Sequence, residues 1–106
     1  MAIFVVATEK GPNWDHDRDI REQREWAEHA LFADELVERG VIIFGGPISD
    51  ANDTDIALLA VEAGDEAELR TIFSDDPWML SGVFRIKDVR SWTWWLDSRK
   101  PPPATH

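Results

Sequence analysis

The chain has no cysteine, no tyrosine, few basic residues and no long apolar run. Without cysteine there is no disulfide and no thiolate metal site. Only 11 Lys and Arg stand against 21 Asp and Glu, a formal net charge of -10. So acidic a surface repels phosphate backbones and anionic lipid, which argues against nucleic acid and membrane as partners. No stretch approaches the roughly 20 consecutive apolar residues of a membrane span. The opening MAIFVVATEKG has no basic region ahead of its short apolar run, so it does not read as a signal peptide. The expected compartment is the cytoplasm.

What is present suffices for one fold. A chain of 106 residues suits a single domain with a modest core. At 43% apolar and 30% charged residues it should fold and stay in solution. The aromatic content is six Trp and five Phe, with Trp92, Trp94 and Trp95 crowded near the C-terminus.

Residues 2–8 are apolar and rich in β-branched and aromatic side chains, and they read as a central strand buried on both faces. Residues 10–13 (KGPN) end it. A charged stretch, with Asp15 or Asp17 as N-cap, leads into a long amphipathic helix over about residues 18–39, which Gly40 stops. Residues 41–44 read as a second strand, Gly45-Gly46-Pro47 as a tight turn, and residues 49–55 as a polar loop. Residues 56–61 give a third strand. Asp65 with Glu68 three residues on resembles a capping box for a second helix ending near Ser74. Asp76-Pro77 reads as another helix start, closing at Gly82. Residues 83–95 are the last extended segment, with a bend or bulge at Asp88 and with Trp92 and Trp94 on the face opposite Trp95. The spacing predicts a domain over residues 1–97 and a Pro-rich tail over 98–106.

The order βαββαβ implies an α+β, ferredoxin-like fold: a four-stranded antiparallel sheet with two helices on one face. Two of its strands are apolar on both sides, so the uncovered face needs a cover. A second copy is the simplest one, and it would make a homodimer.

His29 falls on the shoulder of the first helix's apolar stripe, between Ala33 and Leu36. An imidazole takes and returns protons near neutral pH, so His29 is a candidate general base or acid. A half-buried histidine satisfied by a backbone carbonyl is the plainer alternative. Asp76 is an ordinary N-cap and equally a carboxylate able to orient an imidazole, with Asp75 as the neighbour one register away. The run Asp15-His16-Asp17 has no further ligand at metal spacing, so no metal is expected. Gly45-Gly46-Pro47 lacks a following helix and basic residues and is not a phosphate loop, although its backbone can line a cleft. Arg24 can pair with an anionic ligand or with Glu28. The three late Trp suit a pocket lining or a dimer interface.

The joint spacing of these pieces resembles the YciI-like (YCII-related domain) proteins of the dimeric α+β barrel superfamily. The resemblance rests on Arg24, His29, Gly40, Gly46-Pro47, Glu66-Ala67, Asp76-Pro77-Trp78 and Gly82-Val83-Phe84, and it runs from about residue 3 to 95. Trp78 stands where the family usually has Phe or Tyr, and the charged insert over residues 14–23 is less typical. The resemblance implies a homodimer with His29 and Asp76 as the catalytic pair and a small-molecule ligand. Arg24, Gly45, Gly46, Pro47 and Trp78 are the expected substrate-binding residues. The expected activity is cofactor-free proton transfer of isomerase or lyase type on a small organic acid or lactone. The alternative is a non-catalytic module that binds a metabolite or serves only as a dimer scaffold.

Overall fold

The computed structural model describes residues 2–49 and 51–99. Strands β1 (Ala2–Lys10), β2 (Ile42–Pro47), β3 (Asp55–Ala63) and β4 (Phe84–Ser91) form one antiparallel sheet in the order β2-β3-β1-β4. Helices α1 (Trp26–Glu38), α2 (Glu66–Phe73) and α3 (Pro77–Ser81) complete the α+β, ferredoxin-like architecture. None of the described helices is long and apolar enough to cross a membrane.

Alternation along β1 sends Phe4, Val6 and Thr8 to the helical side, where all three are buried. Leu36 of α1 and Leu69 and Phe73 of α2 close over them with Ile42, Val61 and Ala63. Each large apolar side chain buried here contributes about 1.5–3 kcal/mol. A smaller cluster, Ile56, Trp78, Val83 and Phe84, packs beside it under Trp14, Ile20 and Trp26. On the other sheet face lie Val5, Ala7 and Ala60, with Leu58 37% and Phe44 51% exposed.

Local signals place the helix ends. Gly40 takes φ 75, and the Gly40 and Val41 amides donate to Val37 O and Leu36 O, the double bond of a Schellman stop. Asp65 caps α2 by accepting from the Glu68 amide at 2.8 Å. Asp76 caps α3 with Pro77 at its first position, and Gly82 closes it at φ 75.

Four expectations need correction. The first helix does not run from residue 18. Only a single 3-10 turn (Ile20–Glu22) forms there, and α1 begins after Glu25, which sits at φ 59 and caps nothing with its side chain. Neither Asp15 nor Asp17 is the N-cap; Asp15 Oδ1 instead accepts from the Asp17 amide in a local turn. The cause is Gln23, only 4% exposed. Its Oε1 accepts from the Asp15 amide, and its Nε2 donates to the carbonyls of Asp15 and Arg18 at 2.8 and 3.0 Å. One side chain thus satisfies loop groups that a helix would have paired internally.

Gly45-Gly46-Pro47 is not a turn. It continues β2, opposite Leu59, Leu58 and Ala57. The proline is tolerated because β2 is an edge strand. Gly45 is required because a Cβ there would stand 2.9 Å from the Leu58 carbonyl oxygen and against the Leu59 side chain. The strand ends at Ser91, opposite Phe4; the Trp92 amide still donates to Ile3 O at 2.9 Å, and residues 93–95 leave the sheet. Trp92 and Trp94 meet edge to face rather than sharing a strand face, and Trp94 stacks on Phe44 with ring centroids 5.4 Å apart. As the Asp76-Pro77 start implied, residues 77–81 form a short helix, the third beside α1 and α2. The predicted tail beyond residue 99 lies outside the described residues.

Three bulges shape the sheet; in β2, Ile42 pairs with Val61 and Phe44 with Ala60, so Ile43 is the extra residue. In β4, Lys87 is the extra residue between Ile86 and Asp88, next to the bend expected at Asp88. In β3, Thr8 pairs with Ala57 and Glu9 with Asp55, so Ile56 is supernumerary.

Candidate active site

The two apolar clusters do not merge. Between them lies a cavity of about 150 Å³, walled by Ile42 and Phe73 of the larger cluster and by Ile56 and Phe84 of the smaller. The bulge in β3 turns both Ile56 and Ala57 toward it. His29, near the start of α1, and Asp76, at the cap of α3, line it together, 47 residues apart in sequence.

His29 Nδ1 lies 2.8 Å from Asp76 Oδ2 and 3.0 Å from Oδ1. A carboxylate only accepts hydrogen bonds, so Nδ1 carries the proton and donates it. Nε2 is then the acceptor nitrogen of the neutral ring, and among the described residues it has no hydrogen-bond partner. The Asp76 side chain is 2% exposed and that of His29 16%, so the carboxylate is sealed and the imidazole reaches the opening. Asp75 is exposed and takes no part.

The imidazole is held on one face and along its sides. Trp78 lies parallel beneath it, centroids 3.8 Å apart and planes within 4°. Phe84 meets it edge-on at 5.2 Å, and Trp26, one helical turn back, leans on it at 5.9 Å. Trp78 is itself fixed at three points. Its amide donates to Asp76 Oδ1 at 2.8 Å, its indole Nε1 donates to Arg24 O at 2.7 Å, and Trp14 packs edge to face against it. One carboxylate therefore caps α3, orients Trp78 and orients His29.

Of the expected binding residues, Gly46 and Pro47 line the cavity and three do not. Arg24 is exposed and offers only its carbonyl, to Trp78, because the left-handed turn at Glu25 separates it from α1. Gly45 faces Leu59 and serves sheet packing. Trp78 is fully buried behind the imidazole instead of facing a ligand, because its indole N–H is drawn to the Arg24 carbonyl. Conversely, Thr8, Ile20 and Trp26 line the cavity unforeseen. Trp26 had a readable signal, since residues three apart share a helix face. Ile20 arrives through the loop that Gln23 folds, and no local pattern marks it.

Comparison with known proteins agrees with this architecture. Among solved structures, the chain is similar to the 5-chloro-2-hydroxyhydroquinone dehydrochlorinase of Burkholderia phenoliruptrix in complex with 2,5-dihydroxybenzoquinone. The TM-score is 0.59 at 19% identity, covering 93% of this chain and 99% of that one. At that identity the likeness establishes a shared fold. No curated protein matches significantly in sequence. The YCII-related domain matches residues 3–93, nearly the whole of the two-cluster domain with its His–Asp cavity, and the chain accordingly belongs to that family.

Proposed function

We propose that the protein is an enzyme that moves a proton on a small cyclic, unsaturated substrate, with His29 as the base and Asp76 as its orienting partner. The observation that carries this reading is the 2.8 Å contact from His29 Nδ1 to a sealed carboxylate, which leaves Nε2 bare at the wall of a cavity. In the step, a ligand C–H or O–H bond breaks heterolytically. The proton passes to Nε2, and the electron pair is delocalised over the unsaturated ring. The imidazolium then faces Asp76 on one edge and the Trp78 π-face below, both of which favour a cation. Returning the proton to another ring atom completes an isomerisation, and loss of a leaving group completes an elimination. The similar solved structure is a dehydrochlorinase holding a quinone, which supports ring chemistry of this kind.

The test is exchange in deuterium oxide, followed by proton NMR, over a panel of unsaturated lactones and hydroxyquinones. The wild type is expected to catalyse deuterium uptake at a ring carbon, or double-bond migration, well above the buffer rate. Absence of exchange across the panel would instead support the non-catalytic module.

The reading includes a second copy on the open sheet face. Phe44, half exposed, and Leu58, over a third exposed, lie beside Val5 and Ala7 on that face, and among the described residues no helix covers it. Sedimentation equilibrium at micromolar concentration is expected to give twice the 12.1 kDa of one chain. A mass of one chain would remove the dimer and leave the site chemistry as it stands.

A further inference from the structure

The chemistry of the cavity wall narrows the ligand further, an inference that rests on the proton-transfer reading. Apart from Thr8, His29 and Asp76, every side chain lining the cavity is hydrocarbon or aromatic. The Thr8 hydroxyl is committed to Ala57, accepting from its amide at 3.1 Å and donating to its carbonyl at 3.4 Å. Asp76 spends its oxygens on His29 and on the Trp78 amide. The polar side-chain atoms left to meet a ligand are Nε2 of His29 and the indole N–H of Trp26, and neither carries a charge in the neutral-ring state.

No lysine or arginine among the described residues lines the cavity. An anionic ligand would therefore place a second negative charge beside Asp76 in an apolar enclosure without a counter-charge, an arrangement that burial penalises heavily. A neutral acid brings the proton that His29 takes up, whereas a carboxylate arrives without one and meets the neutral ring and the Asp76 carboxylate. The field of the whole chain, with its net charge of -10, opposes an anion from further out. The size is also limiting, since a cavity of about 150 Å³ is what holds one benzene ring.

We infer that the site selects uncharged five- or six-membered rings bearing one weakly acidic C–H or O–H, and rejects carboxylates of the same size. Of the two classes expected from the sequence, lactones fit this wall and organic acids do not. Ile20, which reaches the cavity from the loop pinned by Gln23, sets the size limit on that side.

Calorimetric titration of the full chain with two matched pairs tests this: phenol against benzoate, and butenolide against its ring-opened hydroxycrotonate. At low ionic strength, each neutral member should bind at least about tenfold tighter than its anionic partner, a gap of about 1.4 kcal/mol. Ile20→Ala should gain affinity for naphthol, which is too large for the wild-type cavity. Equal or tighter binding of benzoate and hydroxycrotonate overturns the inference. So does a failure of all four probes to bind. Neutral ligands that bind the wild type yet never exchange a proton would remove the proton-transfer reading and leave the selectivity standing. Carboxylates that bind and exchange would do the reverse.

Discussion

A Trp78→Ala variant should lose about 3–5 kcal/mol of folding stability, the usual toll of removing a large aromatic from a packed core. Trp78 is fully buried and touches Trp14, Trp26, His29 and Phe84. Its indole also closes the hydrogen bond that ties residue 24 to α3. A loss of this size is a large share of the about 5–15 kcal/mol that holds a domain together. It should be read by urea titration at low temperature, where a folded baseline survives. Trp78→Phe should keep the aromatic floor under His29 but leave the Arg24 carbonyl unpaired, at about 1–3 kcal/mol. If Trp78→Ala cost under about 1 kcal/mol, the smaller cluster would not be the packed unit described above.

His29→Gln should cut ring-proton exchange by about 10²- to 10⁴-fold, the share of rate that general acid–base catalysis commonly supplies. The sharper experiment is Asp76→Asn, which changes one oxygen for nitrogen. An asparagine still caps α3, since its Oδ1 can accept from the Trp78 amide as Asp76 Oδ1 does now. Its amide nitrogen then stands where Oδ2 faces Nδ1 at 2.8 Å. Two donors cannot share that contact, so the ring must place its proton on Nε2 and present no lone pair to the cavity. Exchange should fall about as far as in His29→Gln, while melting changes by only a few degrees. Exchange at the wild-type rate in Asp76→Asn would show that Nε2 of the neutral ring is not the base.

The sheet and the helix stops were legible because their causes are local. Apolar runs over residues 2–8 and 56–61 need burial on two sides, and both are strands at the centre of the sheet. Gly40 and Gly82 end helices at positive φ, which other residues adopt reluctantly. Asp76-Pro77 starts a helix by a cap and a fixed φ. What failed depends on contacts that composition and spacing do not report. Residues 18–25 have helical spacing, but the buried amide of Gln23 folds them back on Asp15 and Arg18 instead. Gly45-Gly46-Pro47 has the composition of a turn, and only its place at a sheet edge makes it a strand. The site divides the same way. His29 and Asp76 each stand out by their own chemistry, but only the family spacing pairs them, because nothing within a few residues of either reports a contact 47 positions away. Composition cannot tell the floor of a site from its wall, so an aromatic such as Trp78 reads as a ligand contact.

The supernumerary residue in β3 bears on how such a domain can change over time. Losing Ile56 alone would restore regular pairing, Thr8 with Ala57 and Glu9 with Asp55, and leave the rest of the ladder in register. The same loss two or three positions later would swap inner and outer faces along the remainder of the strand, since side chains alternate with period two. A deletion at this one point therefore remodels the chamber while the scaffold stays put.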